Sequence, residues 1–137
     1  MRKIYVFGNP DIRNDSLPKK LLPQLAEKFP EIKFVDADPQ DLDFSEDDLV
    51  IIDTVLGIEE VTVFDNLENF EKKSRISLHD HDLGMELFLQ KKMGKIKNLK
   101  IIGIPPNFAQ RKAFLQVCKN LKKLASFLFL IFLLCYS

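Results

Sequence analysis

Leu49-Val50-Ile51-Ile52-Asp53 is the stretch that decides the fold. Four consecutive large apolar residues leave no alternation between a wet and a dry face. A strand of this kind is buried on both sides, as in a parallel sheet covered by helices. Working outward, Ile4-Tyr5-Val6-Phe7 is a similar run, ended by the turn residues Gly8-Asn9-Pro10. Ile32-Lys33-Phe34-Val35 reads as a second strand. Leu99-Lys100-Ile101-Ile102-Gly103-Ile104 reads as a fifth, stopped by Pro105-Pro106. Between them, Leu56-Gly57-Ile58 makes a turn, and Val61-Thr62-Val63-Phe64 is a short peripheral strand.

Helical patterns separate these runs. Ser16-Leu17-Pro18 has the form of a helix start, with proline inside the first turn, where its missing N–H costs nothing. Leu17, Leu21, Leu25 and Phe29 then recur every four residues as one apolar stripe, which Pro30 closes. Pro23 interrupts that pattern and is expected to kink or shorten the helix. Ser77 followed by Asp80 has capping-box character, so a second helix is expected from Leu78, with Leu83 and Leu87 inward. A last helix is expected from Ala109, with Phe114, Val117, Cys118, Leu121 and Leu124 as its core stripe. Strands alternating with helices imply βαβ units. The expected fold is α/β, a three-layer sandwich around a mainly parallel, about five-stranded twisted sheet with helices on both faces.

The 137 residues fit one domain, taken as residues 1–125, with 126–137 an apolar extension of the last helix. Hydrophobic residues make up 46% and charged residues 29%, a globular balance. Lys plus Arg and Asp plus Glu both number 20, so no global field favours nucleic acid, and a nucleic-acid partner is not expected. Cys118 and Cys135 lack metal-type spacing and read as reduced buried thiols. The N-terminal run enters strand-like sequence without the apolar core of a secretory signal, so a cytoplasmic location is expected. From Phe127 to Tyr136 nearly every residue is large and apolar, yet the run falls short of the roughly 20 residues of a membrane span. A monomer is expected, with the tail as the place where copies would self-associate. Asp36, Asp38, Asp41 and Asp43 crowd one loop, but it lacks the glycine and glutamate of a calcium loop.

Ligands of open α/β sheets gather beyond the carboxyl ends of the strands, near a switch in strand order. Asp53 ends the third strand, and Asp15 lies in the loop after the first, just before a helix. Both histidines, His79 and His81, fall in Ser77-Leu78-His79-Asp80-His81-Asp82-Leu83-Gly84. In the first turn of a helix, the dipole disfavours an imidazolium and keeps the metal-binding neutral form. Singly, each group reads more simply as a cap, a strand-end hydrogen bonder or a solvated side chain. Two carboxylates and an imidazole at one sheet edge suit nickel, zinc or a related divalent ion.

Four segments carry a resemblance. Phe7-Gly8-Asn9 followed by Asn14-Asp15-Ser16-Leu17 resembles the N-terminal signature of the nickel–iron hydrogenase maturation proteases. Ile51-Ile52-Asp53 resembles that family's strand ending in a metal-reading aspartate. His81-Asp82-Leu83-Gly84 resembles its His-x-Leu-Gly segment, and Ile101-Ile102-Gly103-Ile104-Pro105 its last strand. All four occur in the family's order, over the chain up to about Lys123.

The resemblance implies that Asp15, Asp53 and His81 are both the catalytic and the metal-contacting residues. His81 is favoured over His79 because x-Leu-Gly follows it. It implies a hydrolase, an endopeptidase that removes a C-terminal peptide from the hydrogenase large-subunit precursor. Cleavage would follow nickel insertion, so the nickel would arrive with the precursor. Three protein ligands would leave coordination positions for substrate or water. Two other classes compete: a non-catalytic, metal-sensing protein that docks on a metalloenzyme precursor, and a phosphate-binding domain using the loop after Phe7. The second is poorly served by Gly8-Asn9-Pro10, which has one glycine and a proline without an amide donor.

Overall fold

The computed structural model describes residues 2–38, 48–65, 70, 94 and 98–136. Five strands form one sheet: β1 (Arg2–Val6), β2 (Ile32–Asp36), β3 (Asp48–Thr54), β4 (Thr62–Phe64) and β5 (Asn98–Ile104). Their spatial order is β2-β1-β3-β5-β4. β1 pairs in parallel with β2 and β3, and β3 with β5, while β4 is antiparallel on the outer edge of β5. The sheet is thus mainly parallel, with the peripheral fourth strand where its sequence placed it.

The purely apolar strand earns its central place by burial on both faces. Val50 and Ile52 enter one cluster, with Ile4, Val6, Ile102 and Ile104. Leu49 and Ile51 enter the other, with Tyr5, Phe7, Leu99 and Ile101. The first face is covered by α1 (Leu17–Lys28) and α2 (Gln110–Tyr136). Leu17, Leu21, Leu25 and Phe29 are all buried there, beside Ala113, Val117, Cys118 and Leu121 from α2. On the second face Phe64 of β4 and Phe70 join the cluster, their rings meeting edge to face at 5.4 Å. Both faces carry buried apolar side chains, as an α/β sandwich requires. The helix expected from Leu78 lies outside the described residues.

Pro23 does not break α1, which is one continuous element. The residue is exposed, so the carbonyl that it leaves without an intrahelical partner lies on the water side. Ser16 is the N-cap residue but makes no side-chain cap bond. A short 3-10 turn, Arg13–Asp15, runs into it, and its Oγ donates instead to the Arg13 carbonyl.

Candidate functional site at the β1/β3 switch point

The strand order reverses direction between β1 and β3. From β1 the chain passes through α1 to β2 on one side, and the later strands add on the other. Beyond the carboxyl ends of these two strands lies the crevice where doubly wound folds take ligands. The Phe7 amide donates to the Ile52 carbonyl at 2.9 Å, so the two strand ends stay zipped up to the residue before Asp53.

Asp15 is fastened to the end of β1 through Gly8 and Asn9. The Asn9 amide donates to the Asp15 carbonyl at 2.9 Å and lies 3.1 Å from Asp15 Oδ2. Asn9 Oδ1 in turn accepts the Asp11 amide at 2.9 Å, an Asx turn that closes the loop. Gly8 makes this close approach feasible. It sits at φ 131°, and a Cβ there would lie 2.6 Å from the Asp15 carbonyl oxygen. The Gly-Asn pair after the first strand is thus a seat for the loop that carries Asp15.

Asp53 is 9% exposed and occupies the penultimate position of β3, beside Gly103 of β5. Its Oδ1 accepts the Thr54 amide at 2.8 Å. Strand alternation puts it on the Ile51 side of the sheet, the side that Phe70 covers. Gly103 serves packing there, because a Cβ would meet Val55 Cγ2 at 2.8 Å and Phe64 at 3.0 Å. Among the described residues the Thr54 hydroxyl, buried on the opposite side, has no hydrogen-bond partner.

The structure therefore brings Asp15 and Asp53 to adjacent strand ends. His81 and the competing His79 lie outside the described residues. Among the described residues no group of three metal-ligating side chains occurs. Two carboxylates alone supply only oxygen donors, suited to a divalent cation that has further ligands of its own. Cys118 is no candidate nucleophile, because it lies in the core between α1 and α2 and burial pushes its thiol up from the ordinary value.

Sequence reasoning did not single out Lys19. Its side chain is 10% exposed, and its ammonium donates to the Val6 carbonyl at 2.9 Å, the Ala37 carbonyl at 3.0 Å and the Asp36 carboxylate. One cation thus ties the carboxyl ends of β1 and β2 to the first turn of α1. Nothing in the local sequence marks this lysine, since its three acceptors come from two other strand ends.

Fold and edge together define a doubly wound α/β protein with carboxylates at its β1/β3 crevice. Two solved structures share that fold. The hydrogenase maturating endopeptidase HybD from E. coli aligns over 90% of this chain and 93% of its own, with a TM-score of 0.59 and 16% identity. An endopeptidase from Escherichia coli aligns over 78% of this chain and 75% of its own, with a TM-score of 0.55 and 17% identity. No family model matches the sequence, and no curated protein matches it. The fold is that of the hydrogenase maturating endopeptidase, in agreement with the resemblance carried by the four sequence motifs.

Proposed function

We propose that this protein is an endopeptidase of hydrogenase maturation, which removes a C-terminal peptide from the nickel-loaded large-subunit precursor. The observation that carries the reading is the placement of Asp15 and Asp53 at the β1 and β3 ends in a fold shared with a hydrogenase maturating endopeptidase. His81 completes the proposed set, from the segment after Phe70. In this reading nickel belongs to the substrate, and Asp15, Asp53 and His81 bind it only while the precursor is docked. The metal supplies Lewis acidity at the scissile carbonyl or at a water. The protein supplies orientation: Asp15 is fixed by the Asn9 amide, and Asp53 by its own strand and the Thr54 amide. Fixed carboxylates reading a metal on the substrate would delay cleavage until the metal is loaded.

Incubation with nickel-loaded and nickel-free precursor tests this reading, with the released peptide measured by mass. Cleavage of the loaded form alone is expected. Equal cleavage of both forms, or of neither, would sink it. Stable complex formation without cleavage would identify a docking protein instead. Asp53→Asn keeps the size and the acceptor for the Thr54 amide but removes the charge. It is expected to lower the cleavage rate by at least about a hundredfold, the scale of losing a well-placed charged group. Its unfolding midpoint should stay close to that of the parent.

A further inference from the structure

Lys19 stands about one helical turn after Asp15, in the first turn of α1, and its ammonium reaches back to the end of β1. All three of its protons are used. The Val6 carbonyl accepts at 2.9 Å, the Ala37 carbonyl at 3.0 Å, and the Asp36 carboxylate takes the third. Val6 is the last residue of β1, just before Phe7 and Gly8. From Gly8 the chain turns into Asn9, whose amide donates to the Asp15 carbonyl at 2.9 Å. These contacts close a ring. One side follows the chain from Val6 to Asn9, and the other follows it from Asp15 to Lys19. The lysine stem also lines the turn between them, since a Cβ at Gly8 would lie 3.5 Å from Lys19 Cγ.

We propose that Lys19 is a positioning residue for Asp15: its ammonium fixes the first turn of α1 on the end of β1, and with it the carboxylate just ahead of that turn. A clamp between β1 and β2 would be the simpler role. That join exists without the lysine, because the Ala37 amide donates to the same Val6 carbonyl at 3.2 Å. Below it the strands pair from Arg2↔Ile32 to Val6↔Asp36. What the ammonium adds is the link from these strand ends to α1. Leu17, Leu21 and Leu25 hold the helix against the sheet, but apolar packing has no direction and tolerates sliding. Hydrogen bonds to fixed acceptors are directional and set where along the sheet the turn stands. The lysine side chain is 10% exposed, so water screens these bonds little. A metal on the docked precursor must meet Asp15 and Asp53 at a set separation. Asp53 takes its place from β3, and Asp15 takes its place from this ring. The effect on cleavage rests on the peptidase reading, whereas the seating of Asp15 does not.

Amide hydrogen exchange of the full chain, read residue by residue by NMR, tests it without substrate. Lys19→Met keeps the apolar stem and removes the donors. The Asn9 amide is expected to lose about tenfold or more in protection relative to the amides that link β1 to β2. Lys19→Arg, which keeps charge and donors, should hold Asn9 within about threefold of the parent. Val117→Ala, a core change in α2, should lower global stability without singling out Asn9. Precursor cleavage by Lys19→Met should slow by about tenfold or more, the scale of a misplaced reacting group. If the parent cleaves no precursor, the peptidase reading falls, and the exchange of Asn9 still decides the seating of Asp15. Four results would overturn the proposal. They are an unchanged Asn9 amide in Lys19→Met, equal losses at Asn9 and along the β1–β2 ladder, a loss in Lys19→Arg as deep as in Lys19→Met, or full cleavage by a Lys19→Met protein whose Asn9 is loosened. A Lys19→Met chain that does not fold would make the lysine a requirement of the whole fold; loosening of Asn9 in Lys19→Arg would then count against the proposal, and its retention for it.

Discussion

Gly8 shows how one missing methyl group can place a charged group. At φ 131° an L-residue is strained, and the Asp15 carbonyl occupies the space that a Cβ would need. Gly8→Ala is therefore expected to cost about 1–3 kcal/mol. The loop must back away, and the Asn9 amide then loses its hold on the Asp15 carbonyl. Loss of precursor cleavage should accompany the loss of stability, so denaturant midpoints and cleavage rates should fall together. An alanine variant of parental stability and activity would show that the loop shifts freely. The sequence displays Gly8-Asn9 only as a turn after a strand. That Asp15 folds back onto it from six residues away becomes visible only when the loop is closed. Asp53 was more legible, because a carboxylate ending a purely apolar strand has few places to go but the strand's end.

Elements depart from their local signals where tertiary contacts outweigh them. The stripe of Leu17, Leu21, Leu25 and Phe29 predicted α1 and its buried face correctly. The warning from Pro23 did not shorten the helix, since one missing bond on the exposed side is outweighed by four buried side chains. The joint between β4 and α2 had no sequence signal. Gln116 accepts the Val61 amide, and its Nε2 donates to Glu60, which also pairs with Lys112 at 3.1 Å. Gln116 first and Lys112 second hold the Glu60 carboxyl below its ordinary value of 4.5. A folded pKa below the unfolded one means that the contribution is present above the unfolded pKa. It is lost as pH falls through the folded value. The group is solvent-facing, so the effect is small. Comparison of urea midpoints for the parent and Glu60→Gln should show a small gap at neutral pH that closes below about pH 4. A gap of constant size across that range would remove the charge from the account.

Over the whole molecule, pairing is uneven, and the candidate site lies across the thin part. β3 and β5 pair along their full length, from Asp48↔Asn98 to Thr54↔Ile104. β1 pairs with β2 from Arg2↔Ile32 to Val6↔Asp36. Between β1 and β3 only Tyr5↔Ile51 and Val6↔Ile52 are in register, continued by the Phe7 amide to Ile52. Alternating runs in the sequence forecast a parallel sheet, but not this seam, because strand order is set by packing far along the chain. In strand pairing the seam divides a unit of β1 and β2, clamped by Lys19, from a unit of β3 and β5, and α1 packs across both. Native-state hydrogen exchange should therefore find two levels of opening. Amides linking β1 to β2 should exchange together through a partial opening, while those linking β3 to β5 should wait for global unfolding. Asp15 belongs to the first unit and Asp53 to the second, so a ligand held by both cross-links them. Docking of the metal-loaded precursor should raise protection in β1 and β2 more than in β5, and Asp53→Asn should erase that increment. Uniform exchange across β1, β3 and β5 in the free protein would show that the seam opens with the rest, and the two-unit account would fall.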